Sequence, residues 1–323
     1  MTEQKSIAVV GATGSQGGGL VRAILADGGR EYVVRALTRD PESASARSLA
    51  DAGAEVVAAD LDDEASLRKA FEGAYGAFVV TNYWAPMTPE QEAARSRAEM
   101  ELEQAGNAAR AARDARVQHA IWSTLEDTRR HFGDDNRVPS LDDGRFKVPH
   151  FDAKGEANEL FTQYGVPTTF LQTTFFYEAF TMGIWPTRNA DGVLELTLPM
   201  NEEPLSGIAS EDIGRTAYGI FKRGSEFVGR TVSIAGDHLT GKEYATVLAE
   251  ALGEPVVYRP WTWDKFRQSG FPAAVETGNM FQFYAEDSER FTGERDLGLV
   301  RELNPGLQSF AEWAEANKGR ISR

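Results

Sequence analysis

No cysteine occurs anywhere in the 323 residues. That absence excludes disulfides, thiolate nucleophiles and cysteine-ligated metal sites together. Histidine is nearly as scarce. His119, His131, His150 and His238 stand apart, without the short spacing of a metal-binding pair, so no metal is expected. Basic charge is also short, with 49 acidic against 34 basic residues and a formal net charge of −15. Binding nucleic acid or anionic lipid over a broad surface needs lysines and arginines to neutralise phosphates, so neither a nucleic acid nor a membrane is an expected partner. Long apolar runs are missing too, and nothing approaches the roughly 20 residues needed to span a bilayer. The start, Met1-Thr2-Glu3-Gln4-Lys5-Ser6, leads into a short apolar stretch only, unlike a secretory signal. A soluble, cytoplasmic protein is the expectation.

What is present, in the first half, is an alternation of short apolar runs with helical patterns, the mark of a parallel sheet covered on both faces. Strands are predicted at Ser6–Val10, Tyr32–Leu37, Glu55–Ala59, Tyr75–Val80, His119–Ser123 and Thr168–Gln172. Helices are predicted from the glycine-rich turn to about Asp27, over Pro41–Ala52, as one long element over Pro89–Asp114, and over Phe151–Tyr164. Between them, Thr124–Pro149 reads as a long loop after a strand's C-terminal end, where open α/β sheets bind ligands. It is either part of a site or a surface insertion. After Thr173 aromatics cluster (Phe175, Phe176, Tyr177, Phe180, Trp185), and short strands such as Val193–Leu198 and Thr231–Ala235 mix with helices. Ser210 and Thr240 read as N-caps of helices ending at Lys222 and Leu252. The expected fold class is α/β, a Rossmann-type doubly wound parallel sheet over residues 1–173 with a smaller mixed α/β lobe over 174–323. That lobe closes over the sheet's edge and returns some elements to the main domain. A hydrophobic helix such as Ser210–Lys222 is a candidate surface for a homodimer.

The first strand runs into Gly11-Ala12-Thr13-Gly14-Ser15-Gln16-Gly17 and then into helix. Gly11 permits the turn, Gly14 lets the backbone approach a pyrophosphate, and Gly17 lets the helix pack closely. The helix N-terminus offers N–H groups and a positive dipole end to that phosphate. The strand–loop–helix context points to a nicotinamide dinucleotide. The second strand ends in Thr38-Arg39-Asp40. Arg39 suits the 2′-phosphate of NADP(H) in a charge-assisted contact, while Asp40 either pairs with Arg39 or binds a ribose hydroxyl itself. NADP(H) is therefore the preferred cofactor and NAD(H) the alternative. Asp60 and Leu61, after the third strand, lie where an adenine would be cradled. Thr81, Asn82, Tyr83 and Trp84, after the fourth, lie beside the nicotinamide half.

These residues together resemble the NmrA-like family, an atypical branch of the short-chain dehydrogenases. The likeness runs over nearly the whole chain. Its specific parts are Gly11–Gly17, Thr38-Arg39, Val79 with Thr81–Trp84, His150–Glu156, Val166-Pro167, Gly270-Phe271-Pro272 and Asn279-Met280-Phe281. The resemblance implies a phosphate loop of Gly11, Thr13, Gly14, Ser15, Gln16 and Gly17. It also implies a 2′-phosphate contact at Arg39, riboside contacts at Thr81, Asn82 and Tyr83, a lysine holding the nicotinamide ribose at Lys154, and a ring-closing segment at Thr174, Phe175, Phe176 and Tyr177. Two departures stand out. Glu42-Ser43-Ala44-Ser45, just after Arg39, supplies no further basic residue, and a lysine near the phosphates is replaced around Ala94, with Arg95 or Arg97 as substitutes.

Typical members of the wider superfamily use a serine, a tyrosine and a lysine, the last two spaced Tyr-x-x-x-Lys on one helix face. Here Ser123 and Lys154 stand in the serine and lysine places, but the tyrosine place holds His150. An imidazole can move protons near neutrality, so His150 is either the acid/base or a polar wall of the pocket. Lys154 has a second role open to it as general base, and Tyr83 and Tyr177 are further proton-donor candidates. The aromatic cluster either shapes an apolar pocket over the ring or is lobe core. The near-complete binding set without the catalytic tyrosine favours an NADP(H)-binding redox sensor or regulator that acts through a protein partner. The alternative is an NADPH-dependent reductase of a carbonyl, quinone or imine on a small aromatic substrate.

Overall fold

The computed structural model describes residues 4–28, 31–134 and 136–321, so the Met1-Thr2-Glu3 start lies outside the described residues. In chain order the first half runs β1 (Lys5–Val9), α1 (Ser15–Ala26), β2 (Tyr32–Thr38), α2 (Ala44–Asp51), β3 (Glu55–Ala58), α3 (Glu64–Phe71), β4 (Gly76–Val79), α4 (Pro89–Ala94), α5 (Arg97–Asp114), β5 (His119–Thr124), α6 (Arg129–Phe132), α7 (Pro149–Gln163) and β6 (Thr168–Gln172). There follow β7 (Phe175–Phe176), β8 (Thr187–Arg188), β9 (Leu194–Leu196), β10 (Leu205–Ile208), α8 (Ser210–Lys222), β11 (Thr231–Ser233), β12 (Asp237–Leu239), α9 (Gly241–Leu252), β13 (Val256–Tyr258), α10 (Trp263–Arg267), α11 (Ala274–Glu286), α12 (Ser288–Gly293), α13 (Leu297–Leu303) and α14 (Phe310–Asn317).

Seven strands form one parallel sheet in the order β3-β2-β1-β4-β5-β6-β11. Both faces are covered, which is why β1 and β4 read as unbroken apolar runs rather than alternating ones. Ile7 and Val9 face a core shared with α1, α8 and α13, while Ala8 and Val10 face a second core shared with α3, α5 and α7. The strand order reverses between β1 and β4, the topological switch point where such sheets open a ligand crevice. Among the described residues no helix is long and apolar enough to cross a membrane.

Several expectations change. Pro89–Asp114 is two helices, because Thr88 and Ser96 each build a capping box and Arg95 between them is extended. The Thr124–Pro149 loop carries the single turn α6 and a Leu141–Phe146 bridge. Thr231–Ser233 does not belong to the small sheets but extends the main one beside β6. The helix Ser210–Lys222 is not a free surface. Its Ile213, Ala217 and Ile220 are sealed against the main sheet, so the dimer surface expected there is already covered within the chain.

The crossing of α1 and α8 is backbone on backbone. A Cβ at Gly214 would lie 2.1 Å from the carbonyl oxygen of Gln16, and one at Gly19 would lie 2.2 Å from that of Glu211. The smaller lobe, with its two three-stranded sheets, has a core rich in aromatics. Phe180 lies against Tyr244 and Phe310, and Tyr177 against Phe310 and Trp313.

Candidate functional site

The turn after β1 is tight because Gly11 sits at φ +65°, a left-handed conformation that favours glycine. A Cβ at Gly17 would lie 2.4 Å from the Gly11 carbonyl oxygen, so glycine is required for α1 to start where it does. Helix α1 has Gly14 as N-cap with no side-chain cap, which leaves its first-turn N–H groups to an external acceptor. Thr13, Gly14 and Ser15 are exposed there. Gln16 turns inward, and the Ser123 hydroxyl donates to its Oε1 at 2.7 Å, pinning the loop to the end of β5.

At the end of β2, Thr38 Oγ1 accepts the backbone N–H of Asp40, and the Asp40 carboxylate accepts that of Glu42. Asp40 is thus used within its own turn and forms no ion pair with Arg39. The Arg39 guanidinium is exposed and has no hydrogen-bond or ion-pair partner among the described residues. Arg95 and Arg97, the expected substitutes for a phosphate-binding lysine, are engaged elsewhere. Arg95 pairs with Asp62 at 2.7 Å and with Glu103, and Arg97 donates to the carbonyls of Tyr83 and Ala85. Asp60 and Leu61 are half-buried. The Asp60 carboxylate accepts the Asp62 N–H, and the Leu61 carbonyl accepts from Asn107.

Helix α7 carries Lys154 to the end of β4. Its ammonium donates to Thr81 Oγ1 at 2.5 Å and sits 5.1 Å over the Trp122 ring. It also lies 2.9 Å from Glu101 Oε2, a charge contact rather than an aligned hydrogen bond, since both Glu101 oxygens lack hydrogen-bond partners. Glu101 is 1% exposed. Sequence reasoning missed it, although a signal existed, because it falls on the apolar stripe of α5 formed by Ala98, Ala105, Ala108 and Ala112.

One turn earlier on α7, His150 meets a second buried acid, Glu276 of α11. Its Nδ1 lies 2.6 Å and its backbone N 2.8 Å from Glu276 Oε1. The Tyr83 hydroxyl donates to Oε2 of the same carboxylate at 3.3 Å, and burial with that neighbouring charge pushes this phenol well above its ordinary range. Glu276 was also missed. It lies 126 residues from His150 and carries no local mark beyond standing in the first turn of a helix. Asn82 is exposed and its side chain accepts the Trp84 N–H, while the Trp84 ring is half-exposed beside His150.

The expected ring-closing segment does not face the crevice as a unit. Thr174 donates to the Ser206 carbonyl, Phe175 packs on Phe180 and Phe281, and only Phe176 is half-exposed. Tyr177 is fully buried with its hydroxyl unpartnered, and burial pushes it far above its ordinary range. The expectation that it meets a cofactor or donates a proton is corrected by that packing. Likewise the aromatic cluster is mainly lobe core, with Phe180 and Trp185 sealed inside it.

A doubly wound sheet with a glycine turn and a free helix N-terminus at its switch point defines a Rossmann-type fold. The chain belongs to the NmrA-like family, whose sequence pattern it matches over residues 3–314. It is 27% identical over 312 residues to an NmrA-like family domain-containing oxidoreductase of Aspergillus flavus, covering 91% of this chain and 88% of that one. It is 30% identical over 255 residues to another from Aspergillus versicolor, covering 75% and 68%. Among solved structures it is similar to NmrA, a negative transcriptional regulator, in complex with NADP. There the TM-score is 0.75 at 22% identity, covering 97% of this chain and 95% of that one. It is also similar to an NADPH-dependent quinone oxidoreductase of Escherichia coli complexed with NADPH, with a TM-score of 0.69 at 20% identity, covering 97% and 99%.

Proposed function

We propose that this protein binds NADP(H) across the C-terminal ends of β1, β2, β4 and β5 and uses it to reduce a carbonyl, quinone or imine of an aromatic molecule. The observation that carries the reading is that three groups follow the ends of the neighbouring strands β1, β2 and β4: the uncapped α1 N-terminus, the exposed Arg39 guanidinium and the Lys154 ammonium held at Thr81. They fit a dinucleotide in order. The uncapped turn at Gly14, which Gly17 lets α1 form close against Gly11, takes the pyrophosphate. Arg39 takes a 2′-phosphate, which favours NADP(H) over NAD(H). Lys154 holds the ribose hydroxyls at the nicotinamide end. When bound, the cofactor supplies a hydride. The half-exposed Trp84 ring offers an aromatic substrate a stacking wall beside that end. The relatives' names as oxidoreductases support the same reading.

A second reading, an NADP(H)-responsive regulator acting through a protein partner, is favoured by the histidine in the tyrosine place. Titration with NADPH and NADH, read by energy transfer from tryptophan, is followed by cofactor absorbance with quinones, aldehydes and imines. Selective NADPH binding with acceptor-dependent oxidation supports the reductase. The same binding with no oxidation turns the reading toward the regulator, and no binding of either cofactor overturns both.

A further inference from the structure

Helix α7 begins without a side-chain cap of its own, since Val148 at its N-cap has nothing to offer. The His150 N–H, which has no acceptor within the helix, goes instead to Glu276 across the lobe boundary. A carboxylate only accepts, so all three contacts on Glu276 are donated to it: the His150 N–H, the His150 Nδ1–H and the Tyr83 O–H. The imidazole therefore keeps a proton on Nδ1 and presents Nε2 outward. That nitrogen has no partner among the described residues and is not among the sealed polar atoms. The ring is walled by Tyr83, Trp84 and Phe151 at centroid distances of 5.7, 5.2 and 4.9 Å. His150 and Lys154 share one face of α7, a single turn apart.

The rival donors are occupied. Tyr83 gives its hydroxyl proton to Glu276, Tyr177 is sealed in the lobe core, and the Lys154 ammonium, held at Thr81 and Glu101, has its remaining donor assigned to the ribose.

From this geometry we propose that His150 is the proton donor of the reduction and Glu276 its positioning residue, a proposal that rests on the reductase reading above. In the step, the acceptor carbon of a C=O or C=N bond gains the hydride and the π pair moves to the oxygen or nitrogen. That atom takes the Nε2 proton of an imidazolium. The neutral imidazole left behind keeps its Nδ1–H on Glu276, and water returns the Nε2 proton. The acceptor gains one hydride and one proton, two electrons in all, and the carboxylate itself is never protonated.

The test uses the whole chain, with and without NADPH. With four histidines in the sequence, ring ¹⁵N spectra are assignable by the signal lost in His150→Asn, whose amide still donates to Glu276. The expected spectrum is an Nδ1–H tautomer for His150 in the wild type, moving to an Nε2–H or mixed population in Glu276→Gln. With an acceptor that the wild type reduces, kcat falls by on the order of 10²-fold or more in His150→Asn and substantially in Glu276→Gln, while NADPH affinity and the acceptor KM hold. Glu276→Asp restores part of kcat and the Nδ1–H signal, which separates positioning from simple loss of folding. An Nε2–H tautomer in the wild type, or a His150→Asn variant as active as the wild type, overturns the proposal and leaves the reductase reading standing. A wild type that binds NADPH but reduces no acceptor removes the reductase reading itself, and the proton-donor role with it.

Discussion

The Lys154 ammonium and the Glu101 carboxylate lie 2.9 Å apart beside Thr81, just past the end of β4, with side-chain exposures of 11% and 1%. Such a pair is held by mutual attraction against a desolvation cost of several kcal/mol per ion, so removing one partner is worse than removing both. Lys154→Met leaves Glu101 as an uncompensated buried charge and is expected to lower unfolding stability by about 3–5 kcal/mol. Lys154→Met with Glu101→Met is expected to recover most of that loss. Urea denaturation of the two variants checks it. NADPH binding is expected to be weak in both, because both lose the ribose contact proposed for Lys154.

Arg39 is the opposite case, an exposed cation with no partner among the described residues to lose. Arg39→Ser is therefore expected to leave stability unchanged while weakening NADPH by roughly 10- to 100-fold, the range for a charge-assisted hydrogen bond. NADH, which lacks the 2′-phosphate, is unaffected. Parallel titrations of the two cofactors measure the difference, and raised salt shrinks it for the wild type alone.

Gly214 has no place in the crevice, yet its substitution reaches the glycine loop. A Cβ there meets the Gln16 carbonyl oxygen at 2.1 Å and the Leu20 backbone nitrogen at 2.3 Å, and backbone cannot step aside as a side chain can. Gly214→Ala is expected to push α1 from α8 and cost about 1–3 kcal/mol of stability. Because Gln16 also receives the Ser123 hydroxyl, the shift moves the loop and weakens NADPH binding. Thermal unfolding and cofactor titration of the same variant read both effects.

These cases show where the sequence was legible. Gly11, Gly14 and Gly17 announce themselves because strand, turn and helix signals lie within one short stretch, and Lys154 because its spacing from position 150 is local. The main-sheet strands before Thr173 were readable from their apolar runs, as both faces are buried. Helix α3 was not read, because Glu64, Arg68 and Lys69 leave only Leu67, Ala70 and Phe71 as its buried face. The placement of β11 in the main sheet is a matter of tertiary pairing that three residues cannot encode alone. Glu276 is the sharpest instance. Its partners His150 and Tyr83 lie 126 and 193 residues away, and nothing near it says that its carboxylate will be buried against them.

Acid sensitivity has an identifiable source away from the crevice, in His119 at the start of β5. The Thr169 hydroxyl spends its only proton on the Phe227 carbonyl, so it accepts the His119 Nε2–H at 2.8 Å. Nδ1 is sealed with no partner, and Phe221 lies edge-on to the ring. A proton on Nδ1 would be a buried, unpaired charge, and desolvation pushes this imidazole down to about 4 from its ordinary 6.5. The sign follows from linkage. Between the two values the unfolded chain binds the proton that the folded chain refuses, so stability rises with pH across this window. The contribution is complete above the unfolded value and is lost as pH falls toward 4. From pH 7.5 to 5 the loss assigned to this residue is about 2 kcal/mol. His119→Gln keeps a donor to Thr169 but cannot titrate, so its unfolding free energy is expected to fall less over the same interval, by about that amount. Urea titrations of both proteins at the two pH values compare the slopes, and equal slopes would place the acid sensitivity in other groups.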